Sequence, residues 1–247
     1  MLHRSVSGLV VVALLGGLAG ALQAGIIAQH LGASDPLTEG FTTPNAGGSI
    51  SDEAEPSWRI VGPASSLNRY RFATLETDWR DPAGWTGTVR VKAVGSADWD
   101  SEGLPRVGAE FRTDTHLWAI KVSAGDGALT KGLYNAAADT FGPVLISAAV
   151  DPTDGFHTYQ IYYNPAIDSG EYYIDGTWVG TVPSSLVPAL NLNELQWGAS
   201  TSAGGEGNAS YSIVQLETGK NIVPEPVSIV TLLAGLAATT LRPRRRA

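Results

Sequence analysis

The feature that most constrains the fold is the alternation of apolar and polar residues in short stretches between turns. Val89, Val91 and Ala93 occupy every second position of one stretch, and the stretch from His116 to Val122 alternates in the same way. A period of two places every second side chain on the same face of a β-strand, with one face buried. No long stretch has the apolar spacing of an amphipathic helix. The sequence therefore predicts an all-β domain.

Turn-forming Gly, Pro, Asn and Asp residues separate about eleven such stretches. This pattern predicts two packed sheets, because a single open sheet would leave too much apolar surface in water. Besides the two stretches above, the predicted strands are Trp58 to Val61, Arg69 to Leu75, Val107 to Arg112, Val144 to Val150, Phe156 to Tyr163, Glu171 to Ile174, Trp178 to Val182, Glu194 to Gly198 and Tyr211 to Glu217.

The C-terminal end differs in composition from the rest of the chain. Pro224-Glu225-Pro226 precedes a largely apolar run of 15 residues from Val227 to Leu241. As a helix this run covers roughly 22 Å of a bilayer core about 30 Å thick, which makes it a marginal anchor. A buried core helix is the alternative, but it would explain neither the prolines nor the basic end. Four arginines, which hold that end on the cytoplasmic side of a membrane, follow the run: Arg242, Arg244, Arg245 and Arg246.

This order of motif, apolar segment and basic end resembles the sorting tail of the PEP-CTERM family of exported bacterial proteins. The resemblance implies that an exosortase-type transpeptidase cuts at Pro224-Glu225-Pro226. The inner membrane would then hold the protein only transiently before it reaches the cell surface or the extracellular space. The family is linked to bacteria that produce exopolysaccharide, so the resemblance also implies a polysaccharide partner.

The N-terminus predicts a secretory signal. His3 and Arg4 form a weakly basic start, Val6 to Leu22 is apolar or glycine apart from Ser7, and small residues up to Ala24 suit signal peptidase. Residues 1–24 are therefore expected to form a signal helix that is removed after the secretion machinery has exported the chain. A retained membrane anchor is the alternative, because the run is close to spanning length.

These ends divide the chain into a signal peptide (1–24), a β-sandwich domain (25–218), a linker (219–223) and a sorting and membrane-anchor tail (224–247). About 200 residues remain between the two ends, which suits one all-β domain with a sizeable core.

Charge and cysteine content exclude several classes of function. Without the terminal arginines and Glu225, 11 of the 16 basic and 23 of the 24 acidic side chains remain, a net charge of about −12. A nucleic-acid partner is therefore not expected. The chain has no cysteine, which rules out disulfides, Cys-ligated zinc and thiol nucleophiles.

From His157 to Gly180 the sequence predicts a meander of three strands. Asp168-Ser169-Gly170 forms the first turn, and Asp175-Gly176 supplies the positive φ angles of a tight hairpin. With the later strand at Leu195 to Ala199, this pattern resembles the laminin-G and concanavalin A-like lectin/glucanase superfamily. The resemblance covers about residues 55–218. It implies a two-sheet jelly-roll sandwich, which the signal helix and the hydrophobic sorting helix would flank.

In the same fold, Ile26 to Glu55 is expected to form an edge strand and a surface loop over one sheet.

No catalytic constellation is recognisable. Retaining glycosidases of the jelly-roll type place two glutamates on one strand as Glu-x-Asp-x-(x)-Glu, and this chain has no such triplet. Glu53 and Glu55 have the spacing of same-face carboxylates but are interpreted as solvated loop residues. Glu110 is interpreted as an outward-facing charge, and His116 and His157 as hydrogen-bonded core or groove histidines. The protein is therefore not expected to be an enzyme.

Asp98, Asp100 and Glu102, with Gly103 after them, form the best metal candidate. Alternate carboxylates that converge before a glycine are typical of a calcium loop. The twelfth position is Ala109 rather than glutamate, which excludes an EF-hand. Either an isolated calcium loop between strands or a solvated acidic loop fits this sequence.

Sugar binding is the remaining functional signal. Trp79, Trp85 and Trp99 fall in loop-like stretches rich in Asp and Gly, where flat indole faces suit stacking on pyranose rings. The alternative is that these tryptophans close the ends of the sandwich. The sequence thus predicts an exported, non-catalytic, glycan-associated surface or matrix protein. A glycoside hydrolase or polysaccharide lyase on the same fold, and a purely structural surface protein, stay open.

Overall fold

The computed structural model describes residues 25–43, 47–62, 67–79, 81–94, 107–113, 116–123, 127–131, 134–135, 140–141, 144–148, 150–183, 185–186, 193–200 and 207–223. These residues form antiparallel β-sheets and two short 3-10 helices, so the predicted all-β class is confirmed. The signal helix and the sorting helix expected at the two ends lie outside the described residues.

The described strands, in chain order, are β1 (Ile26–Leu31), β2 (Gly48–Ile50), β3 (Trp58–Gly62), β4 (Leu67–Ala73), β5 (Trp85–Ala93), β6 (Val107–Arg112), β7 (His116–Ser123), β8 (Gly127–Lys131), β9 (Tyr134–Asn135), β10 (Thr140–Phe141), β11 (Val144–Ala148), β12 (His157–Asn164), β13 (Ser169–Ile174), β14 (Thr177–Pro183), β15 (Ser185–Leu186), β16 (Glu194–Ser200) and β17 (Gly207–Thr218). The 3-10 helices span Pro36–Glu39 and Glu76–Trp79.

Two sheets make up the sandwich. An eight-stranded sheet has the order β14-β13-β12-β5-β17-β3-β2, with β1 on the same edge of β17 as β3. A seven-stranded sheet has the order β11-β8-β7-β6-β16-β4, with β15 beside β7. Strands β9 and β10 pair with each other. The two antiparallel sheets agree with the predicted jelly-roll sandwich, and β1 is the expected edge strand.

The alternating residues face the core as predicted. Val89, Val91 and Ala93 on β5 are buried, and so are Trp118 and Ile120 on β7. The predicted strand from Val107 to Arg112 is confirmed at both ends. The structure adds short strands that the sequence did not predict, namely β2, β8, β9, β10 and β15. Four of these strands have only two or three residues, which is too few alternating positions to be recognised by period, whereas β8 has five.

Aromatic rings connect the two sheets at two places. Trp197 on β16 stacks on His30 of the eight-stranded sheet, with ring centroids 4.8 Å apart, and on Tyr70 of its own sheet at 4.9 Å. Trp85 on β5 stacks on Phe111 of the other sheet, with centroids 5.6 Å apart. Contacts of this kind stabilise the sandwich beyond the area they bury.

The predicted meander is confirmed, but its first turn lies one step earlier than expected, because Ser169 and Gly170 already pair as the first residues of β13. Strands β12, β13 and β14 pair in sequence, and Asp175 and Gly176 adopt φ angles of 52° and 75° in the hairpin between the last two. Asp168 has a φ of 46° at the end of the first turn. The hairpin places Tyr173 directly opposite Trp178 on the neighbouring strand.

The close approach of the two sheets at Gly87 gives a stability prediction. A Cβ at Gly87 would lie 2.3 Å from ring atoms of Phe111, so Gly87→Ala forces the ring or the strand to move. We expect a loss of about 1–3 kcal/mol of unfolding free energy, measured by urea denaturation. Gly155→Ala is the matched control, because nothing lies within 4 Å of its Cβ. Equal stability of the two variants would contradict this packing.

Candidate functional site

Two of the three tryptophans expected to bind a sugar lie in the core. Trp85 is fully buried and Trp79 is 4% exposed. Their rings meet edge to face at 5.1 Å, and the Trp79 indole N–H donates to Thr74 Oγ1 at 2.6 Å. Neither indole has a face open to a ligand. The loop-like composition around them belongs to turns that return both rings to the interior. Trp99 lies outside the described residues.

The expected calcium loop, with Asp98, Asp100 and Glu102, also lies outside the described residues. Across the part of the chain that is described, no group of three His, Asp or Glu side chains is placed to hold a metal ion. Calcium binding at that loop stays a prediction.

The expected sorting motif Pro224-Glu225-Pro226 and the arginines Arg242, Arg244, Arg245 and Arg246 are likewise outside the described residues. No helix within the described ranges is both long and apolar enough to span a bilayer. Export and anchoring therefore stay predictions.

A buried ionic network covers part of the outer face of the seven-stranded sheet. Glu110 on β6 was expected to be an outward-facing charge, and it does face away from the core, yet only 2% of its surface is exposed. Its carboxylate accepts hydrogen bonds from Arg69 at 3.2 Å and from Arg112 Nε at 3.0 Å. We call this network the arginine–glutamate cluster, which comprises Arg69, Glu110, Arg112, Glu194 and Gln196.

Strand register brings the second carboxylate of this cluster close to the first. Gln196 pairs with Glu110, and Glu194 pairs with Arg112, so the two glutamates are diagonal neighbours on adjacent strands. Arg112 Nη1 lies 3.5 Å from Glu194, and the Gln196 amide donates to the same carboxylate. Each carboxylate is thus an acceptor in an ion-pair network. Both carboxylates therefore lie on one face of the sheet, and each is paired with arginine.

The loop glutamates upstream are also paired rather than solvated, which corrects their interpretation. Glu55 accepts two hydrogen bonds from Arg90, at 2.8 Å and 2.9 Å, and Glu53 accepts one from Lys92 at 2.8 Å. Their same-face spacing therefore serves to fix the loop onto β5.

An aromatic surface lies on the outer face of the eight-stranded sheet. Trp178 on the edge strand β14 is 58% exposed, which is unusual for so large an apolar side chain. Tyr173 lies opposite it, and Tyr162 and Glu171 form the next row of the same face. Lys220 Nζ sits 4.9 Å above the Tyr162 ring and 5.4 Å from that of Tyr173. We call these five residues the Trp178 face.

Hydrogen bonds fix the polar members of the Trp178 face. Burial opposes the charge on Glu171, but hydrogen bonds from Lys220, Tyr173 and Asn164 outweigh it and lower its pKa to about 2. The Glu171 hydrogen bond raises the pKa of Lys220, and burial together with Glu171 raises that of the Tyr173 hydroxyl. The face therefore presents a stable carboxylate and ammonium beside an open indole. The two charged groups suit hydrogen bonds with sugar hydroxyls, and the indole suits stacking on the apolar face of a sugar ring.

The sequence predicts Trp178 only as a strand residue, although its placement on this face could have been read from the hairpin. Tyr172 and Ile174 are predicted to face inward, which leaves Tyr173 facing outward. The two-residue turn then pairs Tyr173 with Trp178, on the same outer face. Lys220 could not be found in this way, because it follows the last strand.

His157 lies between two carboxylates at the start of β12. Its Nδ1 is 2.7 Å from Asp175 and its Nε2 is 2.8 Å from Asp154. Burial lowers the pKa of His157, but the hydrogen bonds to the two carboxylates outweigh this effect and leave the pKa raised. Asp175 also accepts the Thr158 N–H at 2.8 Å, so this histidine tethers the Asp175-Gly176 hairpin.

No protein-family model matches the sequence, and no curated protein matches it. A carbohydrate esterase of the Shiga toxin-encoding bacteriophage phi24B superposes with a TM-score of 0.55 at 10% identity, over 80% of this chain and 100% of its own. Botulinum neurotoxin type C, whose cell entry depends on interaction with two ganglioside molecules, gives 0.54 at 11% identity over 86% of this chain. The binding domain of serotype D/C gives 0.54 at 10% identity, also over 86%.

This chain spans about half the length of the two toxin structures, 51% and 52%. At such low identity the likeness shows the fold alone. The neighbours are jelly-roll β-sandwich proteins, which agrees with the fold that the sequence predicts.

The contacts of His157 with Asp154 and Asp175 give a prediction about how stability changes with pH. Because the pKa of His157 is raised above its ordinary 6.5, its stabilising effect is complete below that value and is lost as the pH rises through the raised pKa. We expect thermal melting to show a larger gap between wild type and His157→Gln at about pH 5.5 than at about pH 8.5, by on the order of 1 kcal/mol. A gap independent of pH would contradict the charged pairing with Asp154, Asp175 and nearby Asp151.

Proposed function

We propose that this protein is an exported, non-catalytic surface or matrix protein whose β-sandwich binds a polysaccharide at the Trp178 face. The observation that supports sugar binding is the open indole of Trp178, 58% exposed, on a strand edge beside fixed polar groups. An indole in this position stacks on the apolar face of a pyranose ring. Glu171 accepts hydrogen bonds from the sugar hydroxyls, and Lys220 donates hydrogen bonds to them.

Charge favours a neutral polysaccharide as the ligand. The domain carries a net charge of about −12 once the two ends are excluded, which repels polyanions at low ionic strength. The Lys220 ammonium of the Trp178 face does not offset this charge, because Glu171 pairs with it at 2.7 Å.

Delivery in this proposal depends on the two ends of the chain. The signal peptide (1–24) directs export, and the tail (224–247) holds the protein in the inner membrane until an exosortase-type transpeptidase cuts at Pro224-Glu225-Pro226. Mass spectrometry of the mature protein from the host would test this step. Processing at both ends removes residues 1–24 and the residues that follow the cut at 224–226.

A substitution at Trp178 tests the binding site. We expect Trp178→Ala to weaken binding of neutral oligosaccharides on a glycan array about tenfold or more, because a stacked aromatic ring provides much of such a contact. Ile50→Ala is the matched control, since Ile50 is 67% exposed on β2 of the same sheet. Binding that survives in Trp178→Ala, or an array with no signal from the wild type, would overturn the proposed site.

A hydrolase is the second candidate, and the arginine–glutamate cluster is the observation that favours it. Glu110 and Glu194 are diagonal neighbours on one sheet face, and glycosidases use a pair of carboxyl groups at the scissile bond. Because both carboxylates are paired with arginine, we expect purified protein to release no reducing ends from neutral polysaccharides. Release that Glu194→Gln abolishes, in a variant that still folds, would support the hydrolase instead.

A further inference from the structure

Residues 219–223, expected to be a linker, are hydrogen-bonded across the outer face of the eight-stranded sheet. We call them the C-terminal strap. Thr86 on β5 donates its hydroxyl proton to the carbonyl oxygen of Gly219 at 2.6 Å, and the same hydroxyl accepts the Asn221 N–H at 3.0 Å. Gly219 adopts a φ of 79°, a turn that takes the chain out of β17 and onto the sheet face.

Gln160 on β12 binds the strap as a strand residue would. Its amide N–H donates to the carbonyl oxygen of Asn221 at 3.0 Å, and its amide oxygen accepts the Val223 N–H at 3.0 Å. In a parallel sheet, a residue forms its two hydrogen bonds with the residues before and after its partner on the neighbouring strand. The Gln160 side chain contacts Asn221 and Val223 in the same pattern. The Gln160 side chain is fully buried, so loss of the strap would leave two polar atoms without these partners.

Two side chains make the docking specific to this segment. The Asn221 amide donates to both carboxylate oxygens of Glu217 at 3.0 Å, and Lys220 pairs with Glu171 at 2.7 Å. Glu217 is buried, which makes the Asn221 contact the more costly one to lose. Pro224, the first residue of the sorting motif, follows the strap directly in the sequence.

We propose that the C-terminal strap is a gate on processing of the tail: the segment has to leave the sheet before an enzyme can take Pro224-Glu225-Pro226 into its cleft. This inference rests on the proposed role of residues 224–247 as a processed tail. A protein that binds an extended peptide pairs with its backbone groups, and Gln160 and Thr86 already hold those of the strap. The strap therefore cannot stay docked on the sheet while an enzyme is bound at the cleavage site.

A proline-specific endopeptidase tests the gate on the full-length chain in detergent micelles. The enzyme hydrolyses the peptide bond after Pro224 with water, and loss of the tail is followed by mass spectrometry. We expect Gln160→Ala to raise the cleavage rate about tenfold, because proteolysis follows the population of the undocked strap. Gln29→Ala, which removes a Gln29–Gln215 hydrogen bond on the same sheet, is the matched control and should leave the rate unchanged.

Asn221→Ala gives a second variant that leaves the sandwich intact, because Asn221 lies in the strap itself. It should also raise the rate, and hydrogen exchange of the Asn221 and Val223 amides should be slow in wild type and fast in both strap variants. Equal cleavage rates in all proteins, or fast exchange of these amides in wild type, would overturn the gate. Sugar binding is tested separately, by Trp178→Ala on the glycan array.

Discussion

Burial of polar side chains on the outer faces of both sheets is the constraint on which the surface of this sandwich depends. Glu110, Gln160, Gln196 and Glu217 face away from the core, yet each is at most 3% exposed. A buried polar group without a partner costs roughly 1–3 kcal/mol, so each needs one within reach. The seven-stranded sheet supplies arginines from its own strands, whereas the eight-stranded sheet relies on the segment that follows its last strand.

This difference decides which described surface is open to a ligand. On the seven-stranded sheet, the carboxylates of Glu110 and Glu194 are occupied by guanidinium groups. On the eight-stranded sheet, the C-terminal strap covers the middle of the outer face and leaves the edge strand uncovered. Trp178 lies on that edge. The number of tryptophans in the chain is therefore a poor guide to binding, because rings such as Trp85 and Trp197 serve to hold the sheets together.

The sequence carried most of the fold and little of the site. Period-two alternation predicts strands such as β6 because each buries one full face, and Asp175-Gly176 identifies the hairpin because few other residues tolerate its φ angles. The composition around Trp85 suggested a loop, since local propensity does not report which turns fold back onto the core. Outer-face contacts such as that between Gln160 and Asn221 join residues 61 positions apart, and no local pattern encodes them.

The Trp178 face and the C-terminal strap share Lys220 and Glu171, and this overlap couples them. A ligand that contacts either side chain in the docked state has a different affinity once the strap leaves, because Lys220 leaves with it. By thermodynamic linkage, strap docking changes the free energy of ligand binding, and ligand binding changes the free energy of strap docking by the same amount. The hydrogen bonds of Glu171 to Tyr173 and Asn164 do not involve the strap, since all three residues lie on β12 and β13. The size of the coupling therefore depends on Lys220, the one member of the face that the strap supplies.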